Sequence, residues 1–272
     1  MKTVVQLSAG VRRVLAPNPS MMTGPGTNTY LFGEDAVAVV DPGPVIPEHM
    51  DRIRKLASQI DWVLVTHTHP DHSPAARALA DACGAELLGM PPPPTAHQDQ
   101  TFTPTRVLGD GDVLETDEFR LVAIHTPGHA SNHLCYLHEA SNSIVTGDHV
   151  TDGSTVVINP PDGNMRDYLS SLARVRDLRP DALLPGHGER ITDPTAVIDW
   201  IIDHRLAREA KVQAALATQP NATAADLVPV VYQDVPEHLY GWAERSLLAH
   251  LIKLVEDGRA VVDDRHYTLL PE

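Results

Sequence analysis

The 272-residue sequence predicts a layered α/β protein, with two sheets packed together and helices outside them, ending in a winged-helix-like tail. Three observations point there. Over residues 1–203, strand-length apolar runs and helical periods follow one another as strands, helices, strands, helices. Residues 204–272 then read helix, helix, helix, hairpin, the order of a winged helix. The composition, 42% hydrophobic and 21% charged, is that of an ordinary globular chain of one or two domains.

Taken in order, Asn28–Gly33 and Ala36–Asp41 are short apolar runs bounded by Gly, Pro and Asp, as strands are. Pro47–Ile60 has apolar residues at Met50, Ile53, Leu56 and Ile60, a helical period. Trp62–Thr66 reads as a buried strand. Ser73–Gly84 reads as a helix with Ser73 as N-cap, Pro74 in its first turn and Gly84 as its stop. The prolines of Met90–His97 exclude regular structure and require a surface crossing. A second strand block follows at Phe119–Ile124, Leu134–Leu137, Ser143–Thr146 and Thr155–Ile158. Next come a helix over Tyr168–Leu178, a strand over Ala182–Leu184 and a long helix over Pro194–Ala217. In the tail, Thr223–Tyr232 precedes Pro236–Gly258, whose Tyr240, Ala243, Leu247, Leu251, Leu254 and Val255 make one apolar stripe. Arg259–Leu270 closes as two strands around Asp263 and Asp264.

Charge and cysteine count remove several classes of function. The formal net charge is −15, against broad attraction to nucleic acid or anionic membrane. The tail carries seven Lys and Arg against ten Asp and Glu, so it lacks the basic face a duplex-DNA reader needs. Packing against the rest of the chain is expected instead. Two cysteines, Cys83 and Cys135, make neither a disulfide framework nor a thiolate cage. No apolar run approaches the ~18–20 residues of a membrane helix, and the first nine residues lack a signal-peptide core. The expected location is the cytoplasm, with no membrane partner; oligomeric state is not readable.

The unusual feature is histidine, present 15 times. Thr66–His72 places His67, His69, Asp71 and His72 within one turn, after a buried strand and before a helix. Imidazole nitrogens and carboxylate oxygens are what a divalent transition metal binds. One intervening residue lets His67 and His69 face one side, while Asp71 and His72 reach a second position. His129, Asp148 and His187 each follow an apolar strand and stand beside glycine, which permits close approach. The lone histidines His125, His133, His138 and His149 read as surface.

His67–His72, Thr126–His129, Thr146–Asp148 and Pro185–Gly188 together resemble the ordered motif set of the metallo-β-lactamase superfamily. Gly24–Gly33, Asp167–Leu172, His204–Glu209 and Leu247–Ala260 are similar to a subgroup within it. These are β-lactamase-like hydrolases with a C-terminal winged helix, whose animal members include a mitochondrial endoribonuclease. The resemblance implies a four-layer αββα sandwich over residues 1–203, a winged-helix-like domain over 204–272, and two metals between the sheets. It implies that His67, His69 and His129 hold one metal, and that Asp71, His72 and His187 hold the other, with Asp148 bridging. Zinc is the default, two ions per chain, with iron and manganese left open. The implied chemistry is attack by a hydroxide shared between the metals, with Asp71 as the catalytic residue that orients it. Asp41 matches the family's first acidic position, either as a turn residue or as a support for a ligand. Thr66 and Thr68 are further candidates for holding ligand imidazoles. Tyr168, His204 and Trp242 are candidates for the substrate wall, with interface packing as the alternative.

The expected function is therefore metal-dependent hydrolysis of an ester, thioester or similar bond in a small molecule. A ribonuclease for single-stranded RNA comes second, disfavoured by the charge and by only 4% aromatic residues. A non-catalytic DNA-binding regulator comes last.

Overall fold

The computed structural model describes residues 2–95 and 97–271. Among these, twelve strands form two sheets and a further pair forms a hairpin. The first sheet begins with β1 (Val4–Ser8), β2 (Val11–Leu15), β3 (Asn28–Phe32) and β4 (Ala36–Val40), each antiparallel to the last. Helix α1 (Pro47–Lys55) leads to β5 (Gln59–Leu64), and α2 (Ala75–Cys83) to β6 (Glu86–Gly89) and then β7 (Arg106–Val107), all parallel to β4. In the second sheet, β8 (Val113–Glu115), β9 (Arg120–His125), β10 (Leu134–His138) and β11 (Ser143–Gly147) form an antiparallel meander. Helix α3 (Met165–Asp177) then crosses to β12 (Ala182–Pro185), parallel to β11.

The two sheets face each other across a core that includes Tyr30, Phe32, Leu64 and Leu88 from one and Leu121, Tyr136, Val145 and Leu184 from the other. Helices α1 and α2 cover the outer face of the first sheet through Ile53, Ala76 and Leu79. Helix α3 and the start of α4 (Pro194–Thr218) cover the second through Leu172, Val175, Ile198 and Ile201. Layers run helix, sheet, sheet, helix, because each sheet has two apolar faces and only one meets its partner.

Helix α4 runs on into the tail, where Val212 and Leu216 join α5 (Ala224–Val231), α6 (Tyr240–Glu256), β13 (Ala260–Asp263) and β14 (His266–Leu269) around a separate small core. The division at 203/204 thus falls inside one continuous helix. Ala249 of α6 packs among the residues under the second sheet, so the tail is seated on the body. Asn164 donates to Glu256 at 3.0 Å and Arg166 pairs with Asp257 at 2.6 Å across the same seam.

Several elements depart from the sequence reading. Strands β1, β2, β6, β7 and β8 have no counterpart in it. In β2 the alternation is masked by Arg13, which is 2% exposed and survives burial by pairing with Glu189 at 2.6 Å. Thr155–Ile158 is not a strand: its carbonyls serve side chains, Val156 accepting from Arg205 and Val157 from His129. Ser73 does not cap α2; Pro74 holds that position, and the Ser73 hydroxyl donates to Asp99. Gly84 does stop the helix, in the left-handed conformation with φ +70°. His133, His138 and His149 are buried rather than surface residues.

Candidate active site

Five loops at one rim of the sandwich carry the candidate residues. They follow β4 (Asp41), β5 (His67, His69, Asp71, His72), β9 (His129), β11 (Asp148) and β12 (His187). Strand ends converge there because β4 and β5 run parallel in one sheet and β11 and β12 do so in the other.

Two groups of metal-capable atoms result: His67, His69 and His129, and Asp71, His72, Asp148 and His187. In the first, His67 Nε2 and His129 Nε2 each lie 2.9 Å from His69 Nδ1. In the second, His187 Nε2 is 3.1 Å from Asp71 Oδ2 and 3.2 Å from Asp148 Oδ1, and His72 Nε2 is 3.5 Å and 3.4 Å from the same atoms. Asp148 joins the groups, since its Oδ2 lies 3.6 Å from His129 Nε2. Buried His72 Nε2 and Asp148 Oδ1 have no hydrogen-bond partner among the described residues. Orphaned polar atoms of that kind, aimed at one space, are what a bound cation satisfies by displacing any proton held there. The residues present therefore fit two divalent metals.

The outer nitrogens explain why the inner ones face inward. Thr66 donates its hydroxyl to Asp41 at 2.7 Å and accepts from His67 Nδ1 at 3.0 Å. His72 Nδ1 donates to Asp41 Oδ2 at 2.8 Å, His129 Nδ1 to the Val157 carbonyl at 2.8 Å, and His187 Nδ1 to the Gly26 carbonyl at 3.2 Å. A proton held on the outer nitrogen leaves Nε2 with a free lone pair. Asp41 itself is 1% exposed and also accepts from the Thr66 amide at 2.7 Å. The His187 loop is clamped by Asn28, which donates to the carbonyls of Pro185 and Gly188, and by the Tyr30 hydroxyl on Pro185. Within that loop Gly186 admits no side chain: a Cβ there would stand 2.8 Å from both Asp148 Oδ1 and His72 Cε1.

Electrostatics separates the two groups. Burial, reinforced by neighbouring imidazoles, drives His67 well below its usual pKa. Burial and His129 bring His69 to about 3. Burial likewise lowers His129. Those three are neutral imidazoles. Burial also opposes charge on His72 and His187, but the carboxylates around them prevail. Asp71, Asp148 and Asp41 hold His72 well above its usual value, and Asp148 raises His187 to about 10. Asp148 is correspondingly pushed well below the carboxylate range by His187 and His72, despite its burial. The second group is a set of fixed negative charges that binds protons when no metal competes.

Three residues singled out from the sequence stand elsewhere. Thr68 holds no ligand imidazole: its hydroxyl donates to Gln98 at 2.5 Å and accepts from Asn132 at 2.8 Å. Tyr168 is fully buried under the second sheet, its hydroxyl donating to the His149 carbonyl, so it lines no cleft. His204 sits on α4 beside Trp200, ring centroids 5.7 Å apart, and is not among the cleft residues. Trp242 does line the cleft. The carbonyls of Val157 and Gly26, and the clamp by Asn28 and Tyr30, lie outside the sequence reading. Backbone acceptors leave no mark in a sequence; the polar pair in Asn28-Thr29-Tyr30, inside an otherwise apolar strand, was the available signal.

A cleft of ≈ 780 Å³ opens above the two groups. His69, Asp71, His129, Asp148 and His187 make its floor, Met22, Pro70, Val157, Pro160 and Pro161 its apolar sides, and Trp242 and Arg245 its tail-side wall.

Residues 22–187 match the family described as the metallo-beta-lactamase superfamily. The chain belongs to that superfamily. Residues 223–267 match the beta-lactamase associated winged helix domain. Beta-lactamase-like protein 2 homolog of Drosophila melanogaster is 29% identical, over 98% of this chain and 97% of its own length. An atrochrysone carboxyl ACP thioesterase of Aspergillus chevalieri is 31% identical, over 96% and 85%. Among solved structures, a metallo-beta-lactamase family protein of Thermus thermophilus superposes with TM-score 0.80 at 23% identity, over 97% of this chain and all of that one. This superfamily hydrolase thus shares its fold, tail included, with full-length relatives.

Proposed function

We propose that this superfamily member is a binuclear zinc hydrolase that cleaves a thioester bond in a small molecule or carrier-bound acyl group. The observation carrying this reading is the placement of Asp148, one carboxylate oxygen toward His129 and the other toward His72 and His187. His67, His69 and His129 would hold one ion, and Asp71, His72 and His187 the second, with Asp148 common to both. Metals held there would supply the Lewis acidity that lowers the pKa of water toward neutrality and polarises a carbonyl. The chain's own residues do the rest. Asp71, 27% exposed beside the cleft, accepts a proton and orients water. Asp41, Thr66 and the carbonyls of Val157 and Gly26 engage the outer ring nitrogens and so turn the inner ones toward the metal position. The apolar sides exclude water from an acyl chain.

Thioester is preferred over other esters because the Aspergillus relative and a further one from Emericella nidulans, 32% identical over 78% of this chain, are named thioesterases. RNA is disfavoured. The cleft has one arginine, Arg245, where a polyanion needs several cations along its track. The test is elemental analysis of the purified protein together with hydrolysis of a panel of thioesters, lactones, phosphodiesters and RNA. We expect about two zinc ions per chain and turnover of thioesters first. No stoichiometric transition metal after zinc is offered would end the reading. Phosphodiesters hydrolysed while thioesters are untouched would move it to the ribonuclease.

A further inference from the structure

The tail-side wall of the cleft carries a charge that hydrolysis itself does not require. Trp242 and Arg245 are three residues apart on α6, hence neighbours on one helix face. The guanidinium carbon of Arg245 stands 4.6 Å from the centroid of the Trp242 ring, so the indole supports the long side chain. Among the described residues no carboxylate pairs with Arg245, and its guanidinium donates no hydrogen bond. Arg166, Arg208 and Arg259, by contrast, are paired: Arg166 with Glu256 and Asp257, Arg208 with Asp234, Arg259 with Glu209. In a chain with net charge −15, Arg245 is half-buried, faces the cleft and has no acid partner among the described residues.

Its surroundings narrow what it could bind. Arg245 is the one Lys or Arg among the described residues lining the cleft. Asp71 and Asp148 belong to the metal groups, and Asp162 already accepts from Gln98 at 2.6 Å and from the Ser131 amide at 3.2 Å. The contact recorded for the Arg245 guanidinium is the Trp242 ring, and Pro161 lines the same cleft. A single guanidinium beside an indole, in a cleft whose other walls carry prolines and uncharged polar side chains such as Thr23 and Asn159 but no second Lys or Arg among the described residues, suits one oxyanion on an apolar or ring-bearing body.

We propose that Trp242 and Arg245 form a recognition subsite for an oxyanion carried by the substrate, so that the enzyme selects thioesters bearing a carboxylate or phosphate away from the scissile bond. The proposal rests on the thioester reading above. The oxyanion has two sources, a carboxylate on the acyl half or a phosphate on the thiol half, and both present the same chemistry to the guanidinium.

The experiment uses the full-length, zinc-loaded protein and two matched substrate pairs. One pair is S-(4-carboxybenzoyl)- and S-benzoyl-N-acetylcysteamine. The other is S-benzoyl-4′-phosphopantetheine and S-benzoylpantetheine. The wild-type protein prefers the anionic member of one pair in kcat/KM. Arg245→Gln lowers that preference about tenfold, mainly through KM, as expected for one charge-assisted hydrogen bond in a partly shielded site. Arg245→Lys retains most of it. Trp242→Leu raises KM for both members and weakens the preference in part, since the guanidinium loses its support, and Arg265→Gln, on the exposed hairpin, leaves the preference at its wild-type value. Loss confined to the first pair puts the oxyanion on the acyl half, and loss confined to the second puts it on the thiol half. Preferences unchanged by Arg245→Gln in both pairs overturn the subsite. A second readout separates the two levels of inference: calorimetric binding of the corresponding thioethers, which cannot be hydrolysed. Arg245-dependent thioether binding without turnover of any thioester keeps the subsite and removes the thioesterase. Thioester turnover with no Arg245 dependence does the reverse.

Discussion

Replacing Asp41 by Asn should separate the support of the metal site from the site itself. One carboxylate serves three donors: the Thr66 amide on Oδ1, and the Thr66 hydroxyl and His72 Nδ1 on Oδ2. An amide has one oxygen and cannot serve both sides. If its oxygen takes the Oδ2 position, its NH₂ group meets the Thr66 N–H donor to donor, at what is now 2.7 Å. If the oxygen takes the Oδ1 position, the NH₂ faces His72 Nδ1. That imidazole must then accept, which moves its proton to Nε2, the atom turned toward the metal group. Either way one buried donor loses its partner, a cost of about 1–3 kcal/mol. In the second arrangement metal affinity also falls, on the order of 10–100-fold for a lost supporting hydrogen bond. Backbone strain does not confuse the result. Asp41 has φ +52°, and Asn tolerates that region as well as Asp does. Urea denaturation of chelator-treated protein measures the first effect, and zinc retained against a competing chelator the second. An Asp41→Asn protein with wild-type urea midpoint and two tightly held metals per chain would refute the argument, and Asp41 would then be only a turn residue.

Asp148→Asn keeps the shape of the bridge but removes the charge that offsets repulsion between two cations; elemental analysis should show loss of the second metal, with most turnover lost and the fold retained. Retention of both metals at wild-type rates would reduce Asp148 to a turn residue. Burial and, secondarily, Arg52 lower the pKa of His49 to about 4. The folded state therefore binds this proton less readily than the unfolded chain, and the contribution is complete above pH ~6.5 and lost as pH falls toward 4. Its size is up to about 3 kcal/mol. Urea midpoints between pH 4 and 7 should fall more steeply for wild type than for His49→Gln, and parallel curves would contradict this. Truncation after residue 203 cuts α4 through its middle and strips Ala249 from beneath the second sheet, so insoluble protein is expected. Soluble truncated protein with unchanged metal content and kinetics would show the tail to be an independent module. The intact chain should show no salt-sensitive duplex-DNA binding near physiological ionic strength in a titration by anisotropy.

How much was legible depended on whether the determining contact was local. The turn Thr66–His72 gathers four side chains within seven residues, so its role as a cluster can be read from order and residue type alone. The sandwich layers follow from apolar runs and helical periods, because burial on one or two faces writes itself into sequence spacing. Gly84 can be read as a helix stop, since the left-handed cap is a single-residue preference. Ser73 reads as a cap and is not one, because its hydroxyl is drawn away by Asp99, 26 positions along the chain, and a distant acceptor leaves no local pattern.

Tertiary structure decided the remainder for the same reason. Only the folded chain brings Val156 and Val157 between Arg205 and His129, and so converts an expected strand into a support for a ligand. Only it buries Tyr168 against the body, leaves Trp242 in the cleft wall, and sets Arg245 on the indole face without an acid. Residue type and spacing, acting over one turn of helix or one strand, determined the helices, the central strands and the identity of the metal-capable groups, but not the short strands β1, β2, β6, β7 and β8. Which oxygen holds each imidazole, and which charge is left free to meet a substrate, were settled by contacts between segments far apart in the chain, whose partners appear only when the sheets and the tail are packed together.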